Sequence, residues 1–299
     1  MFPAAVACRS VAGRDDLTDE QWDLIEPLMP SSGRGGQWRN HRQVIDGILW
    51  QLRTGAPWRD VPERYGPWKT LHERLRRWTA GGTWDRILEH VQTLQADAGS
   101  IEWVFSIGSS VVRAHQHSAG ARKKGHPGRP GVEDLVEPDE ALGRSRGGLS
   151  TKIHLATDAR GLPVVVLLTS GQAGDNPQLL RLLDRVRVNT SGPGRPRKRP
   201  DCVLADRAYS SPSTRRALRA RRIRFVSPEK KDHAAHRLRK GSRGGRAPVF
   251  DKVAYKGRNV VERCFNRLKQ FRGLATRYAK RAAYYRALVV IAAIALWLR

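Results

Sequence analysis

The sequence predicts an α/β fold, a mixed sheet flanked by helices, preceded by an all-α N-terminal domain. Up to residue 99, apolar residues recur at helical spacing between capping signals. From residue 100 onward, three strand patterns without helices come first, and helix and strand patterns then alternate. With 299 residues in all, we expect two domains, residues 1–99 and 100–299.

The first two helices of the N-terminal domain carry start and stop signals. In "LTDEQWDLIEPLMP", Thr18 and Gln21 stand at the spacing of a capping box, and Pro27 limits the helix. "HRQVIDGILWQLRTG" follows with apolar residues at helical spacing, and Gly55 is a stop signal. Both segments are therefore predicted as amphipathic helices.

The third helix of this domain is basic. In "TLHERLRRWTAGG" we predict a start at Thr70, paired with Glu73 as a second capping box, and a fourth helix follows around residues 84–94. Three short helices with a basic last one resemble a helix-turn-helix, whose last helix enters the DNA major groove. A plain bundle with a solvated basic face has the same spacing, so both interpretations stay open. In either case the outward-facing, candidate DNA-binding cations are Arg74, Arg76 and Arg77.

The second domain opens with strands. "WVFSI", residues 103–107, is an apolar strand pattern. Residues 118–148 are rich in Gly, Pro and mixed charge, which predicts an exposed, mobile connection. Residues 152–157 and 163–169 then form a predicted hairpin around the turn at 158–161.

Helices and strands alternate after the hairpin. Asn176-Pro177 starts a helix, "CVLA" is a short buried strand, Ser211-Pro212 starts the next helix and "IRFVS" closes a βαβ unit. A basic insertion covers residues 228–254. An antiparallel meander followed by parallel crossovers resembles the ribonuclease H-like fold. That resemblance implies carboxylates on the first strand, at the end of the fourth and on a late helix.

The charge of the chain favours a polyanionic partner. Lys and Arg number 55 against 28 Asp and Glu, a formal charge of +27. This excess disfavours an enzyme of small neutral substrates and favours nucleic acid, because each phosphate contact releases counterions. A membrane surface is the second candidate. However, the apolar stretch 287–298 has 12 residues, where a span needs about 20, so we predict a buried helix.

The compartment predicted from the sequence is the cytoplasm. The chain begins without the basic start and apolar run of a signal peptide. Its three cysteines are far apart in sequence, which argues against a zinc site or a disulfide framework and for reducing conditions. They are Cys8, Cys202 and Cys264.

The residues suited to chemistry lie at a strand end and on a late helix. Asp206 directly follows "CVLA", where a carboxylate can face a ligand, although a cap or turn role is as compatible. In "YKGRNVVERCFNRLKQFRG", one predicted helix places Tyr255, Arg258, Glu262 and Lys269 within an arc of roughly 60°. One acid, two cations and a phenol suit phosphoryl transfer. The simpler alternative is an Arg258–Glu262 salt bridge, worth about 0.3 kcal/mol.

This spacing, Tyr-x2-Arg-x3-Glu-x6-Lys, resembles the Tyr-Arg-Glu-Lys signature of insertion-sequence DDE transposases, the IS-four/IS-five group. "LTDEQWDLIEPLMP", "TGAPWRDVPERYGPWKTLHERLRRW", "ADRAYSS" and "NVVERCFNRLKQFRGLATRY" are similar to the same family, in its order and over nearly the whole chain. The resemblance implies Mg²⁺-dependent cutting and joining of DNA. It makes Asp206 and Glu262 metal ligands and catalytic residues, and Lys269, Arg258 and Tyr255 contacts of DNA phosphates.

The same resemblance implies partners and a location. Double-stranded DNA, as transposon inverted repeats and target DNA, would be bound by a homodimer. The protein would act in the bacterial cytoplasm, at the nucleoid. No membrane association is expected.

The chain departs from the family pattern at its first carboxylate. In "SIGSSVVRAH", Ser109 and Ser110 match the Ser/Thr pair of the family, but Gly108 stands where the Asp belongs. Asp175 could approach in space, yet beside a helix start it is predicted to be a cap. We therefore expect transposase architecture with little or no strand cutting. The alternatives are a non-catalytic protein that occupies transposon ends and inhibits active relatives, and, less favoured, a structure-selective nuclease.

Three further basic features accept more than one interpretation. His115 and His117 could ligate a metal, but phosphate contact or ordinary packing is favoured. Residues 192–200 and 236–248 are either solvated linkers or phosphate contacts that set affinity without choosing a sequence.

Overall fold

The computed structural model describes residues 13, 16–31, 38–120 and 140–299. Its N-terminal part is helical, as predicted. The helices are α1 (Asp19–Ile25), α2 (His41–Thr54), α3 (Trp68–Ala80) and α4 (Thr83–Asp97).

Local capping explains most of these helix ends. Thr18 and Gln21 form the predicted capping box, and Gly55 ends α2 in the left-handed region at φ +68°. The predicted start of α3 at Thr70 is wrong. The helix begins at Trp68 with Pro67 as N-cap, because the fixed φ of proline already suits a helix start.

The basic face of α3 is narrower than predicted. Arg76 and Arg77 are exposed, and both form ion pairs with Glu73. Arg74, predicted to face outward, is buried, with its guanidinium 3.5 Å from the centre of the Trp38 ring. An aromatic ring can hold a guanidinium out of water through cation–π attraction, an option that helical spacing does not reveal.

A seven-stranded mixed sheet follows. Its strands are β1 (Val104–Ala114), β2 (Gly143–Ser145), β3 (Gly148–Thr157), β4 (Pro163–Ser170), β5 (Cys202–Ala205), β6 (Arg224–Val226) and β7 (Thr276–Arg277). The remaining helices are α5 (Gln116–Ala119), α6 (Asn176–Asp184), α7 (Pro212–Ala220), α8 (Lys231–Arg239), α9 (Lys252–Lys256), α10 (Asn259–Lys269), α11 (Arg272–Ala275) and α12 (Ala282–Trp297).

The five main strands lie in the order β4-β3-β1-β5-β6. β1, β3 and β4 pair antiparallel, whereas β5 and β6 continue parallel to β1. The predicted meander with parallel crossovers is therefore confirmed. Short strands β2 and β7 were not predicted. α5 and β2 occupy the two ends of the predicted mobile connection, and residues 121–139 of it lie outside the described residues.

One continuous core joins the helical part to the sheet. α12 packs on both α4 and β4, and nearly all of its residues are buried, as predicted for this apolar stretch. Within the described ranges, no helix has the length and hydropathy needed to cross a membrane. Cys202 and Cys264 are buried free thiols, and Cys8 lies outside the described residues. The boundary at residues 99 and 100 stays a prediction.

Arg277 on β7 ties several of these elements together. Its guanidinium is fully buried and donates to Thr151 Oγ1 on β3 (2.6 Å) and to the backbone carbonyl oxygen of Glu140 (2.8 Å). It also donates to the carbonyl oxygens of Ala279 and Lys280, next to the start of α12. A buried cation with this many charge-assisted hydrogen bonds is costly to remove.

Replacing this guanidinium tests its structural role. We expect Arg277→Met to lower the free energy of unfolding by about 3 kcal/mol, since the buried acceptors lose their donor. Urea denaturation measures the change. The exposed Arg216→Met on α7 is the matched control and should cost little. Equal losses in the two variants would contradict the role.

Candidate active site

Asp206 lies at the carboxyl end of β5, where the sequence predicted a ligand-facing acid. Its backbone continues the strand, and its Oδ1 accepts a hydrogen bond from the Ala208 amide at 2.7 Å. The side chain thus caps the short 3₁₀ turn at Arg207–Tyr209. The cap role is therefore real, and the carboxylate is half-buried at the sheet edge.

The strand register places Gly108 beside Asp206. β1 and β5 pair in parallel with Ile107 opposite Ala205, so the next residue of each strand lies side by side. Neighbouring residues on paired strands point to the same face of a sheet. Gly108 and Asp206 therefore share a face, which agrees with the predicted position of a first carboxylate at residue 108.

α10 covers this face. A Cβ atom on Gly108 would lie 3.1 Å from both methyl groups of Val261 and 3.5 Å from the Phe265 ring. Val261 and Phe265 both belong to the buried side of α10. Glu262 directly follows Val261 in the sequence, and its side chain is 49% exposed. The helix acid thus sits next to the contact that covers Gly108.

The prediction of one helix carrying all four signature residues is wrong. α9 ends at Lys256, a turn follows at Gly257, and Arg258 is the N-cap of α10. A Cβ on Gly257 would lie 3.1 Å from the Ala254 carbonyl oxygen and 3.3 Å from Leu204 on β5. The glycine therefore lets the backbone approach the sheet closely and breaks the helix there.

Tyr255 belongs to α9 and packs on the sheet. Its ring lies 5.1 Å from the Phe250 ring, and both pack on the small apolar cluster of Cys202, Leu204 and Val226. The Arg258 guanidinium is 5.8 Å from the centre of the tyrosine ring. The phenol is thereby held near the Asp206 end of β5.

Arg258 connects the two acids electrostatically. It donates to Glu262 Oε1 at 2.9 Å, so the simpler salt-bridge interpretation is realised. Burial acts to lower the pKa of Arg258, but the Glu262 hydrogen bond and the nearby Tyr255 and Asp206 raise it overall. Lys269 is exposed at the far end of α10, about 10 Å further along the helix axis than Glu262.

These residues do not fit a metal centre as they stand. Asp206 caps a turn, Glu262 is paired with Arg258, and Gly108 has no side-chain oxygen. Among the residues that the structure describes, no three His, Cys, Asp or Glu side chains group closely enough to hold a metal ion. The His115 and His117 rings pack against each other edge to face, with their centroids 4.4 Å apart.

Asp175 is the N-cap residue of α6, as its position suggests, but its side chain bonds elsewhere. Its side chain caps nothing on α6 and accepts from Ser109 Oγ at 2.9 Å and from Lys152 Nζ at 3.1 Å. Because Ser109 follows Gly108 on one strand, their side chains point to opposite faces of the sheet. Asp175 therefore lies on the opposite face of the sheet from Gly108 and Asp206.

A buried polar cluster lies on that opposite face. His154 on β3 is fully buried, with its Nε2 2.8 Å from Thr169 Oγ1 and its Nδ1 3.9 Å from Asp175. Burial raises the pKa of the Tyr209 hydroxyl, and Asp175 adds to that shift. Sequence reasoning missed this cluster, although the polar alternation of Lys152 and His154 in an apolar strand was a visible signal.

His154 makes the fold sensitive to acid. Burial lowers its pKa from 6.5 to about 4, even though Asp175 acts to raise it. Since the unfolded chain binds the proton more tightly, stability is lost as the pH falls from about 6.5 towards 4. We expect this histidine to account for a loss on the order of 2–3 kcal/mol.

Urea denaturation at several pH values in that window measures the loss. His154→Gln should flatten the fall, and the exposed His236→Gln should not. Parallel pH curves for the parent protein and His154→Gln would contradict the assignment.

Two family models match the chain. "Putative transposase of IS4/5 family" matches residues 17–88, and "Transposase DDE domain" matches residues 99–298. The first therefore covers the N-terminal helices, and the second covers the sheet, Asp206 and Glu262.

Two relatives are named as putative transposases, and a third is named as an uncharacterized protein. "Putative transposase for insertion sequence element IS6501" of Brucella ovis is 32% identical over 50% of this chain and 100% of its own length. "Putative transposase for insertion sequence element IS402" of Burkholderia cepacia is 39% identical over 46% of this chain and 57% of its own length. "Uncharacterized protein y4sN" of Sinorhizobium fredii is 41% identical over 36% of this chain and 85% of its own length.

No solved structure matches the chain with statistical significance. The DDE-domain model nevertheless covers more than half of the residues, and the Brucella relative is matched over its full length. The chain therefore belongs to the IS4/5 family of DDE transposases.

Proposed function

We propose that this transposase binds transposon-end DNA but has lost most of its strand-cutting activity. The observation that carries the proposal is the juxtaposition of Gly108 with Asp206, beneath the helix that bears Glu262. The strand order β4-β3-β1-β5-β6, with acids after β5 and on α10, supports a ribonuclease H-like arrangement of the site. In that arrangement Gly108 occupies the position of the first carboxylate.

The proposed DNA contacts are cations that remain exposed. Arg76 and Arg77 on α3, in the manner of a helix-turn-helix, and Lys269 on α10 would contact phosphates. Arg258 would break its ion pair with Glu262 and bind a phosphate oxygen instead, and the neighbouring Tyr255 would contact the same phosphate. Arg74 is buried on Trp38, so we assign it to holding α3 in place.

In this proposal, DNA cutting is weakened because the site has too little negative charge to hold its metal ions. Members of the DDE family generally use a divalent metal, which is where the expectation of Mg²⁺ comes from. Two carboxylates balance only half the charge of two dications, and one of the two here is already paired with Arg258. The proposed consequence is a protein that occupies transposon ends, as a homodimer by family resemblance, and competes with active relatives.

A restoring substitution tests the loss of cutting. We expect Gly108→Asp, combined with Val261→Ala to make room for the new side chain, to raise the nicking of transposon-end DNA with Mg²⁺ on the order of 100-fold. The matched control is Gly108→Asn with Val261→Ala, which has the same shape but no charge. If the parent protein nicks as fast as the aspartate variant, the proposed loss is refuted.

Salt titration tests the DNA contacts. Binding to duplex DNA should weaken at least ~100-fold between about 50 and 200 mM salt, because several counterions are released per complex. Arg77→Ala or Lys269→Ala should each reduce the slope of log K against log salt by about 1. Arg74→Gln should leave the slope unchanged. A flat salt response measured by fluorescence anisotropy would contradict the phosphate contacts.

A further inference from the structure

A cleft of 840 Å³ lies away from the two acids, between the helical part and the end of the sheet. It is bounded by α2 and the turn after it, by α3, by the segment after β7 and by the first turns of α12. Neither the sequence signature nor the proposed contacts of the cutting site account for it. We call it the aromatic cleft.

Several aromatic rings line the cleft. The Trp58 indole is half-buried and packs edge-on against the His72 ring, with centroids 5.4 Å apart. Tyr278 is 47% exposed, and its ring is backed by the His115 imidazole at 4.7 Å. Tyr284 also lines the cleft and accepts a hydrogen bond from Arg76 Nε at 3.3 Å. These rings are held in place by neighbours yet keep surface open to a ligand.

The charges of the cleft have one sign. Lys280, Arg281 and Arg76 line it together with the rings, and no Asp or Glu belongs to its lining in the described part of the chain. Arg281 and Arg76 are each anchored by an acid just outside, Glu140 and Glu73, at 3.0 and 3.2 Å. The ligand that fits this lining has a flat apolar part and a negative charge.

We propose that the aromatic cleft binds an unpaired nucleotide of a DNA strand, with the base against Tyr278 and the phosphate near Lys280. Base–aromatic stacking tolerates any base, since each has a π-face, and cations follow the backbone. This proposal adds a binding site for single-stranded DNA to the proposed function, and it rests on that function because the strand would come from the bound transposon end. A single-stranded overhang at a transposon end would supply the nucleotide that occupies the cleft.

The test is binding of a labelled oligothymidylate of about eight nucleotides to the full-length protein, followed by fluorescence anisotropy. Tyr278→Ala should weaken binding roughly ten-fold, the size of one lost base stack. Tyr278→Phe keeps the ring and should bind like the parent protein. Lys280→Ala should also weaken binding, whereas Lys256→Ala, exposed on α9 and outside the cleft, should not.

Two further probes decide what is recognised. An abasic oligomer of equal length keeps every phosphate, so it should bind the parent protein no better than oligothymidylate binds Tyr278→Ala. Equal binding of the abasic and thymidylate strands, or no effect of Tyr278→Ala, would overturn the proposal. Thymidine monophosphate competing as strongly as the strand, per nucleotide, would overturn it in favour of a free-nucleotide site.

Blunt duplex DNA separates this proposal from the proposed function. Tyr278→Ala should leave blunt-duplex binding unchanged. If duplex binding is absent while base-dependent strand binding persists, the end-binding function fails and the cleft stands. If the protein binds duplex DNA but binds abasic and thymidylate strands equally, the proposed role of the cleft is refuted and the end-binding function stands.

Discussion

The pairing of β1 on both of its edges is the constraint on which the site depends. Parallel hydrogen bonding to β5 fixes which residue of β1 lies beside Asp206, and antiparallel bonding to β3 fixes the opposite edge. A slip of one residue in either register would turn every β1 side chain to the other face of the sheet. The two registers therefore fix both the position of Gly108 next to Asp206 and the face of the sheet on which a side chain at residue 108 would lie.

The same alternation gives β1 two faces with different chemistry. On one face, α10 lays Val261 and Phe265 over Gly108, and the exposed acid and its arginine lie at the margin of this contact. On the other face, Ser109 is held by Asp175. The hydrogen bonds that Asp175 accepts from Ser109 and Lys152 tie β1 to β3 and to the start of α6 on this face.

Local signals in the sequence predicted much of this architecture. The Thr18 capping box, the Gly55 stop and the switch from an antiparallel meander to parallel crossovers follow from capping and periodicity, which act over a few residues. Three features required tertiary contacts. Gly257 breaks a predicted helix so that the backbone can approach Leu204, and Arg74 turns inward onto Trp38. The Asp175 side chain bonds Ser109 instead of capping α6. Each depends on a partner distant in sequence, which spacing alone does not reveal.

The proposed loss of a first carboxylate at residue 108 is compatible with an intact fold, because fold stability and metal-dependent chemistry would make opposite demands at this position. A buried carboxylate without a metal is costly to desolvate, whereas glycine costs only about 1 kcal/mol in a strand through its greater freedom when unfolded. With Val261 and Phe265 already against its backbone, Gly108 leaves no large cavity under α10. The proposed phosphate contacts of α3 and the rings of the aromatic cleft are built from other elements and do not depend on an oxygen at residue 108. The proposed nucleic-acid binding therefore does not require the proposed cutting site to be intact, and this separation is why the family fold alone does not establish catalysis.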